Sequence, residues 1–149
     1  MWRDERAISH ILEELVALAV ILTALGLLLV SLHGNYVNEI DTLKALEMKE
    51  DARGLLERVV SHPQLTKDGE YLLLDQTSVF NTSVERLGEI LQTPYGFRLV
   101  IHDVTTSTDR SFQTSAPFGN VIGATTSCNV WVRPGEVHAA RVSILIWRG

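Results

Sequence analysis

The sequence predicts an α+β fold in which a long N-terminal helix packs on a small antiparallel β-sheet. Three observations lead to this prediction. Residues 15–32 form an uncharged apolar stretch, residues 35–61 contain no proline, and the last third of the chain alternates between apolar and polar residues. The chain has 149 residues, of which 46% are hydrophobic, so it can build the core of one domain.

The apolar stretch is long enough to cross a membrane as a helix. Between Leu15 and Leu32 lie only uncharged residues, and Thr23, Gly26 and Ser31 alone interrupt the aliphatic side chains and alanines. A helix of this length spans about 27 Å, close to the thickness of the hydrocarbon core of a bilayer. The alternative is a buried core helix, which in so small a protein would have to be covered on every side.

The residues around the stretch indicate a retained helix with a cytoplasmic N-terminus. A secretory signal peptide ends in a small-x-small cleavage pattern, and "SLHGNY" after the stretch has none. Arg3 and Arg6 precede the stretch, whereas the next basic residue is Lys44. Because basic residues favour the cytoplasmic side, we expect a single-pass membrane protein with residues 33–149 outside the cytoplasm.

The helix is expected to continue beyond the membrane as an amphipathic segment over residues 34–62. Charges of both signs are mixed along this segment, and one apolar stripe recurs at helical spacing. The helix should end at His62-Pro63, because proline disfavours helical backbone in the residue before it. The stripe predicted to face the sheet comprises Met48, Ala52, Leu55, Leu56 and Val59.

Residues 63–149 are expected to form an extracytoplasmic α+β head domain. The stretch "NTSVERLGEIL" predicts a short helix, since Thr82 and Glu85 have the spacing of a capping box. A turn at Asp68-Gly69 precedes a short apolar run over residues 71–74. Residues 105–126, rich in Thr, Ser and Gly, predict a long connection with a short strand near Phe112.

Three segments of the head domain alternate as strands do. They are "FRLVIHDV", "TSCNVWVR" and "VHAARVSILIW", and Pro134-Gly135 between the last two suits a type II turn. One face of the last strand is predicted to carry Ala140, Val142, Ile144 and Ile146. Cys128 is the single cysteine, so an internal disulfide is excluded, and we expect it to be a small core residue.

The residue patterns do not favour an enzyme, a metal site or a cofactor site. The histidines (10, 33, 62, 102 and 138) have no His or Cys three or four positions away. His102 and Asp103 are neighbours on a predicted strand and should point to opposite faces. The sequence lacks glycine-rich phosphate loops. Residues 33–149 carry 11 basic and 14 acidic residues, and this acidic balance makes nucleic acid an unfavourable partner.

The N-terminal residues carry a resemblance to a known family. A charged leader, "RAIS" at residues 6–9 and an uninterrupted apolar helix resemble the class III signal peptide of archaeal type IV pilins and archaellins. The closing stretch "VRPGEVHAARVSILIW" is similar to the final hairpin of small archaeal minor-pilin-like proteins. In this superfamily a prepilin peptidase cuts before the helix, which stays on the subunit. The resemblance implies a cut between Ala7 and Ile8, or between Arg6 and Ala7 in a second register.

A pair of glutamates, Glu13 and Glu14, lies at the start of the apolar stretch. In the bacterial relatives a glutamate five residues after the cut is thought to neutralise the N-terminal amine of a neighbouring subunit. Here the fifth residue after Ala7 is Leu12, so the glutamates follow one and two positions later. Either one of them pairs with a neighbour's amine, or both lie at the level of the lipid headgroups.

The resemblance therefore implies a type IV pilin-like structural subunit, of the minor pilin kind, in an archaeal surface filament. Its segments would be a leader (1–7), a transmembrane and filament-core helix (8–33), the amphipathic continuation (34–62) and the head (63–149). Its partners would be other pilin subunits, the prepilin peptidase, the assembly machinery and, before assembly, membrane lipid. The alternative is a single-span anchored binding domain that does not polymerise.

Asn81 begins an N-glycosylation sequon, Asn81-Thr82-Ser83.

Overall fold

The computed structural model describes the backbone of residues 2–148 and the side chains of residues 10–148. The chain forms two compact units, Met1–Lys44 and Ala45–Gly149. Helix α1 (Trp2–Ser61) supplies the described residues of the first unit and the beginning of the second. The second unit continues with strand β1 (Leu73–Asp75), helices α2 (Gln76–Asn81) and α3 (Val84–Leu91), and strands β2 (Gly96–Asp103), β3 (Thr108–Gln113), β4 (Val121–Arg133) and β5 (Glu136–Trp147).

The C-terminal part of α1 packs on the sheet through the predicted stripe. Ala52 and Val59 are fully buried, and the remaining stripe residues are at most 5% exposed. Because they recur every three or four residues, they share one face of the helix. The helix ends at Ser61, before His62-Pro63, as predicted. The expected α+β layout of a helix on a small sheet is thus confirmed.

The sheet is mixed, so the prediction of an antiparallel sheet is wrong in one pairing. Its strand order is β1-β4-β5-β2-β3, and all neighbours are antiparallel except β1, which runs parallel to β4. Parallel pairing needs a crossover rather than a hairpin. Here the chain between β1 and β4 contains α2, α3, β2 and β3, which provide that crossover.

The core lies between the sheet and the helices. In β2 the residues Phe97, Leu99 and Ile101 are buried, as the alternation predicts. The same holds for the predicted face of β5, whose members are Ala140, Val142, Ile144 and Ile146. Cys128 is 6% exposed and belongs to this core, which confirms its predicted placement.

The connections differ from the predictions in three places. Helix α3 is capped by Ser83 instead of Thr82, since the Ser83 hydroxyl accepts a hydrogen bond from the Arg86 N–H at 3.2 Å. Helix α2 was not predicted, and Asp75 caps it by accepting from the Ser78 N–H at 2.9 Å. Strand β4 begins at Val121, inside the region expected to be a connection, because its Thr-rich half pairs with β5.

The other local predictions agree with the structure. A strand does occur near Phe112, as β3, and Gly135 has φ +82°, which suits the third position of a type II turn. Strand β1 begins two residues later than the predicted apolar run, because Leu72 has a left-handed backbone with φ +62°. Leu87 and Leu91 of α3 are buried in the core.

Polar contacts fasten the second unit's part of α1 to the rest of that unit. The Tyr95 hydroxyl donates to Asp51 at 2.7 Å, and this hydrogen bond raises the pKa of the tyrosine. The Arg58 guanidinium donates to the carbonyl oxygen of Leu91 at 2.7 Å, which satisfies the C-terminal end of α3. These bonds join α1 to the end of α3 and to the segment just before β2.

Candidate functional site

The apolar segment of α1 (Ile11–Leu32) is the main candidate site. Its large aliphatic side chains are 52% to 72% exposed, and they surround the helix on all sides. An exposed apolar surface of this extent marks an interaction with lipid or protein. By length and composition this helix can cross a membrane, which is consistent with a single-pass membrane protein.

The few polar groups inside the apolar segment are compatible with an apolar environment. The Thr23 hydroxyl donates to the carbonyl oxygen of Ala19, one turn back, at 2.7 Å. A hydroxyl satisfied by its own helix loses little on leaving water. In the described part of the chain, no atom beyond the adjacent residues and the local helical backbone lies within 4 Å of where a Cβ would stand on Gly26, so that position leaves room for a close neighbour.

The two glutamates at the start of the segment differ in their surroundings. The Glu14 carboxylate lies 3.2 Å from Nδ1 of His10, one turn earlier on the same face. Within residues 10–148, no ion pair engages Glu13, which lies one residue away and therefore on a different face. The predicted cleavage residues Arg6, Ala7 and Ile8 lie outside the part of the chain whose side chains are described.

The sequon lies at an exposed corner of the head. Asn81 is the last residue of α2 and is exposed. The Thr82 hydroxyl donates to the carbonyl oxygen of Ser78 at 2.7 Å, and Ser83 serves as the cap of α3. The sequon therefore spans the junction of two helices, with its asparagine accessible to solvent.

A second polar site, which the sequence interpretation missed, joins the ends of β2 and β5. Asp103 and His138 are each 8% exposed, and Oδ2 of Asp103 lies 2.6 Å from Nδ1 of His138. The other ring nitrogen, Nε2, lies 3.0 Å from Oε1 of Glu136, which also pairs with Arg133. The second oxygen of Asp103 accepts hydrogen bonds from the Thr105 and Thr106 N–H groups at 2.8 and 3.0 Å.

This arrangement favours a protonated imidazole between two carboxylates. The hydrogen bond to Asp103, then the one to Glu136, raises the pKa of His138. Burial by itself would raise the pKa of Asp103, but the hydrogen bonds from His138 and from the Thr105–Thr106 turn outweigh it, so this pKa is lowered. His138 in turn lowers the pKa of Glu136, together with Arg133.

The hydrogen bonds of Asp103, His138 and Glu136 can link the turn after β2 to the turn before β5. Both ring nitrogens of His138 and the carboxylates of Asp103 and Glu136 already have partners within this site. His102 has a separate contact, with Asp109 at 2.5 Å on the exposed side of the sheet. The expectation that His102 and Asp103 point to opposite faces is confirmed. Within the described residues, no group of three or more His, Cys, Asp or Glu side chains could hold a metal ion.

The alternation of buried and exposed residues along the strands could have indicated this site. Asp103 continues the buried face of Phe97, Leu99 and Ile101, and His138 precedes Ala140 on the buried face of β5. Buried polar side chains need partners. Two such residues on neighbouring strands are therefore candidates for one another, once the register that pairs Asp103 with Ala140 is known.

Cys128 offers no reactive thiol. It lies on the buried face of β4, and burial raises the pKa of its thiol to about 11. A thiol with a raised pKa carries little of the nucleophilic thiolate near neutral pH.

Comparison of the chain with protein-family models, with curated proteins and with solved structures finds no match.

Proposed function

We propose that the protein is a structural subunit, of the minor pilin kind, in an archaeal type IV pilus-like surface filament. The observation that carries this proposal is the apolar segment, which is exposed on every side although the same helix later buries a single stripe. A helix that is apolar all round needs an apolar environment that this chain does not itself provide. Lipid would cover it before assembly, and the helices of other subunits afterwards.

The glutamates support an assembled state. A carboxylate that moves from the membrane surface into a bundle of apolar helices must find a cation or a donor. Removal of the leader would free one α-amine on each subunit, about 8 Å before Glu13 along the helix. A neighbouring subunit displaced by that distance along the axis would bring its amine to the level of Glu13. Because His10 already faces Glu14, Glu13 is the carboxylate we assign to the amine of a neighbouring subunit.

The competing function is a single-span anchored domain that binds a partner outside the cytoplasm and does not polymerise. In that case both glutamates would stay among the headgroups, since the residues after Glu14 can span the bilayer alone. The two functions differ in what happens to the N-terminus and in what neutralising each glutamate does.

The test compares wild type with Glu13→Gln and Glu14→Gln in native cells. The intact mass should first show a mature chain that starts at Ile8, or at Ala7 in the second register. Glu13→Gln should leave insertion and processing unchanged but reduce recovery in sheared filaments, whereas Glu14→Gln should have the smaller effect. A chain that retains Met1 and stays in the membrane fraction would overturn the filament proposal and favour the anchored domain.

A further inference from the structure

One edge of the sheet is open over most of strand β4. On the side away from β5, β1 pairs with β4 only at Asn129–Trp131. In the part of the chain that the structure describes, no strand pairs with residues 121–128 on that side. The open edge, residues 121–127, is about 20 Å long at the usual rise of a strand.

The register shows which backbone groups point out of this edge. The N–H of Asn129 donates to the carbonyl oxygen of Leu72 next to β1, so the backbone of Asn129 faces away from β5. The pairing of β4 with β5 is regular from Val121 to Trp131. By the two-residue period of a strand, the N–H and C=O groups that share this direction belong to Val121, Gly123, Thr125 and Ser127.

The open edge lacks the features that usually prevent strand addition. Its sequence, "VIGATTS", contains neither a charge nor a proline, and no bulge occurs within it. Edge strands are normally protected by such features. The opposite edge of the same sheet, β3, carries Asp109 and Arg110. The contrast indicates that the β4 edge is kept available for pairing.

A groove runs between this edge and the part of α1 that packs on the sheet. It has a volume of ≈ 450 Å³, and the buried side chains of Leu56 and Val60 form part of its floor. Lys49 and Arg53, both exposed and one turn apart, line it as well. Among the described residues no ion pair engages either of them. Glu57, which accepts a hydrogen bond from Tyr71 at 3.4 Å, also lines the groove, and the two cations outnumber this one carboxylate.

We infer that the open edge binds an extended, acidic segment of a partner protein by strand addition. The partner's backbone would continue the ladder at the four outward-pointing residues, in line with β1. Its side chains on the groove side would place carboxylates near Lys49 and Arg53, which are exposed. This inference does not depend on the filament proposal, because an anchored domain could use the same edge.

The experiment uses the full chain in detergent micelles and synthetic peptides about seven residues long, the length of the edge. The first peptide alternates valine and threonine and carries two glutamates on one face. The second has lysines in place of the glutamates, and the third is the acidic peptide with alternate backbone nitrogens methylated. Binding is followed by fluorescence anisotropy, and amide hydrogen exchange locates the site.

We expect the acidic peptide to bind and to slow exchange at Gly123, Thr125 and Ser127. Amides that point out of the β3 edge, such as that of Ser111, should not change. The methylated peptide should not bind, because it lacks the donors of the ladder, and the lysine peptide should bind more weakly. Arg53→Glu should weaken binding of the acidic peptide about two- to fivefold, as reversal of one exposed charge does.

Arg98→Glu is the matched control, because Arg98 is exposed on β2 and does not line the groove, and it should leave binding unchanged. Neither variant alters a core residue. Equal binding of the acidic and lysine peptides, or protection at the β3 edge alone, would overturn the inference. Protection of the β4 edge that grows with protein concentration without any peptide would assign the edge to a second copy, and would also overturn it.

Discussion

The apolar residues of helix α1 are exposed in one region and buried in another. From Ile11 to Leu32 every large aliphatic side chain is at least half exposed, whereas from Met48 to Val60 the stripe residues are at most 5% exposed. The backbone is the same uninterrupted helix in both regions. What differs is the pattern, since the first region is apolar all round and the second on one face only.

This difference teaches where each region obtains its stability. The second region gains free energy by burying its stripe within this chain, at about 25 cal/mol for each Å² of apolar surface removed from water. The first region gains nothing comparable within the chain. Its apolar surface can be removed from water only by lipid or by other helices, so substitutions in the two regions should have separate consequences.

The largest expected effect separates membrane insertion from folding. Leu22→Arg combined with Leu25→Arg should cost about 6 kcal/mol of insertion free energy, because each arginine near the centre of a span costs about 3 kcal/mol. The folded head should be unaffected. The measurement is the fraction of protein that resists alkaline extraction from membranes, together with the near-UV circular dichroism of the extracted chain.

Leu43→Arg combined with Leu46→Arg is the matched control. These leucines have the same spacing on the same helix and are also more than half exposed, but they follow the apolar segment. This variant should stay in the membrane fraction. Equal extraction of both double variants would mean that residues 15–32 are not the membrane-binding region.

The second prediction concerns the buried stripe. Leu56→Asp should reduce the free energy of unfolding of the head by about 3–5 kcal/mol, as an unpaired buried charge does. Leu46→Asp, the same change at a leucine that is 54% exposed, should stay within about 0.5 kcal/mol. Urea unfolding followed by tryptophan fluorescence measures both. A small effect of Leu56→Asp would show that this face of α1 is not core.

The third prediction tests a single cap. Ser83→Ala should destabilise the head by about 1 kcal/mol, because the Arg86 N–H loses its acceptor. Thr82→Ala should cost less, since the Thr82 hydroxyl only returns to its own helix, as Thr23 does in the apolar segment. Ser83→Asp keeps a capping oxygen and should restore most of the loss. Urea unfolding that ranks Thr82→Ala as the more damaging change would contradict this assignment.

Much of the fold could be predicted because its patterns are local. The stripe of α1, the end of the helix at Pro63 and the inward faces of β2 and β5 follow from periodicity and from the backbone restrictions of proline. The direction of β1 could not be predicted in this way. Its three residues pair with Asn129–Trp131, more than fifty positions along the chain, and no local pattern encodes a pairing over that distance.

The candidate sites also differ in whether a local pattern in the sequence predicts them. The apolar segment and its glutamates could be read directly, because one uninterrupted stretch contains them all. The open edge could not, since an edge exists only once the strand order is known. The ion pair of Asp103 with His138 is an intermediate case. Alternation predicts that each residue lies on a buried face, but only the strand register shows that the two are neighbours.

Each region contains a histidine beside a carboxylate, and the two pairs differ in their exposure to solvent. The side chains of His10 and Glu14 are 73% and 70% exposed, so solvent screens their interaction. Those of His138 and Asp103 are 10% and 11% exposed, and Glu136, itself paired with Arg133, faces the second ring nitrogen of His138. The pair of His138 and Asp103 is expected to link protonation to folding.

The direction of this linkage follows from the raised pKa of His138. Its proton is bound more tightly in the folded state, so the stabilisation is complete below the ordinary histidine pKa of 6.5 and is lost as the pH rises through the raised value. Urea unfolding at a series of pH values above 6.5 should therefore show falling stability in wild type and in His10→Gln, but a flatter profile in His138→Gln. The lowered pKa of Asp103 matters at the acidic end of the pH range. The stabilisation that Asp103 provides persists until the pH falls through that lowered value. Identical profiles for wild type and His138→Gln would show that the buried pair does not control the stability of the head.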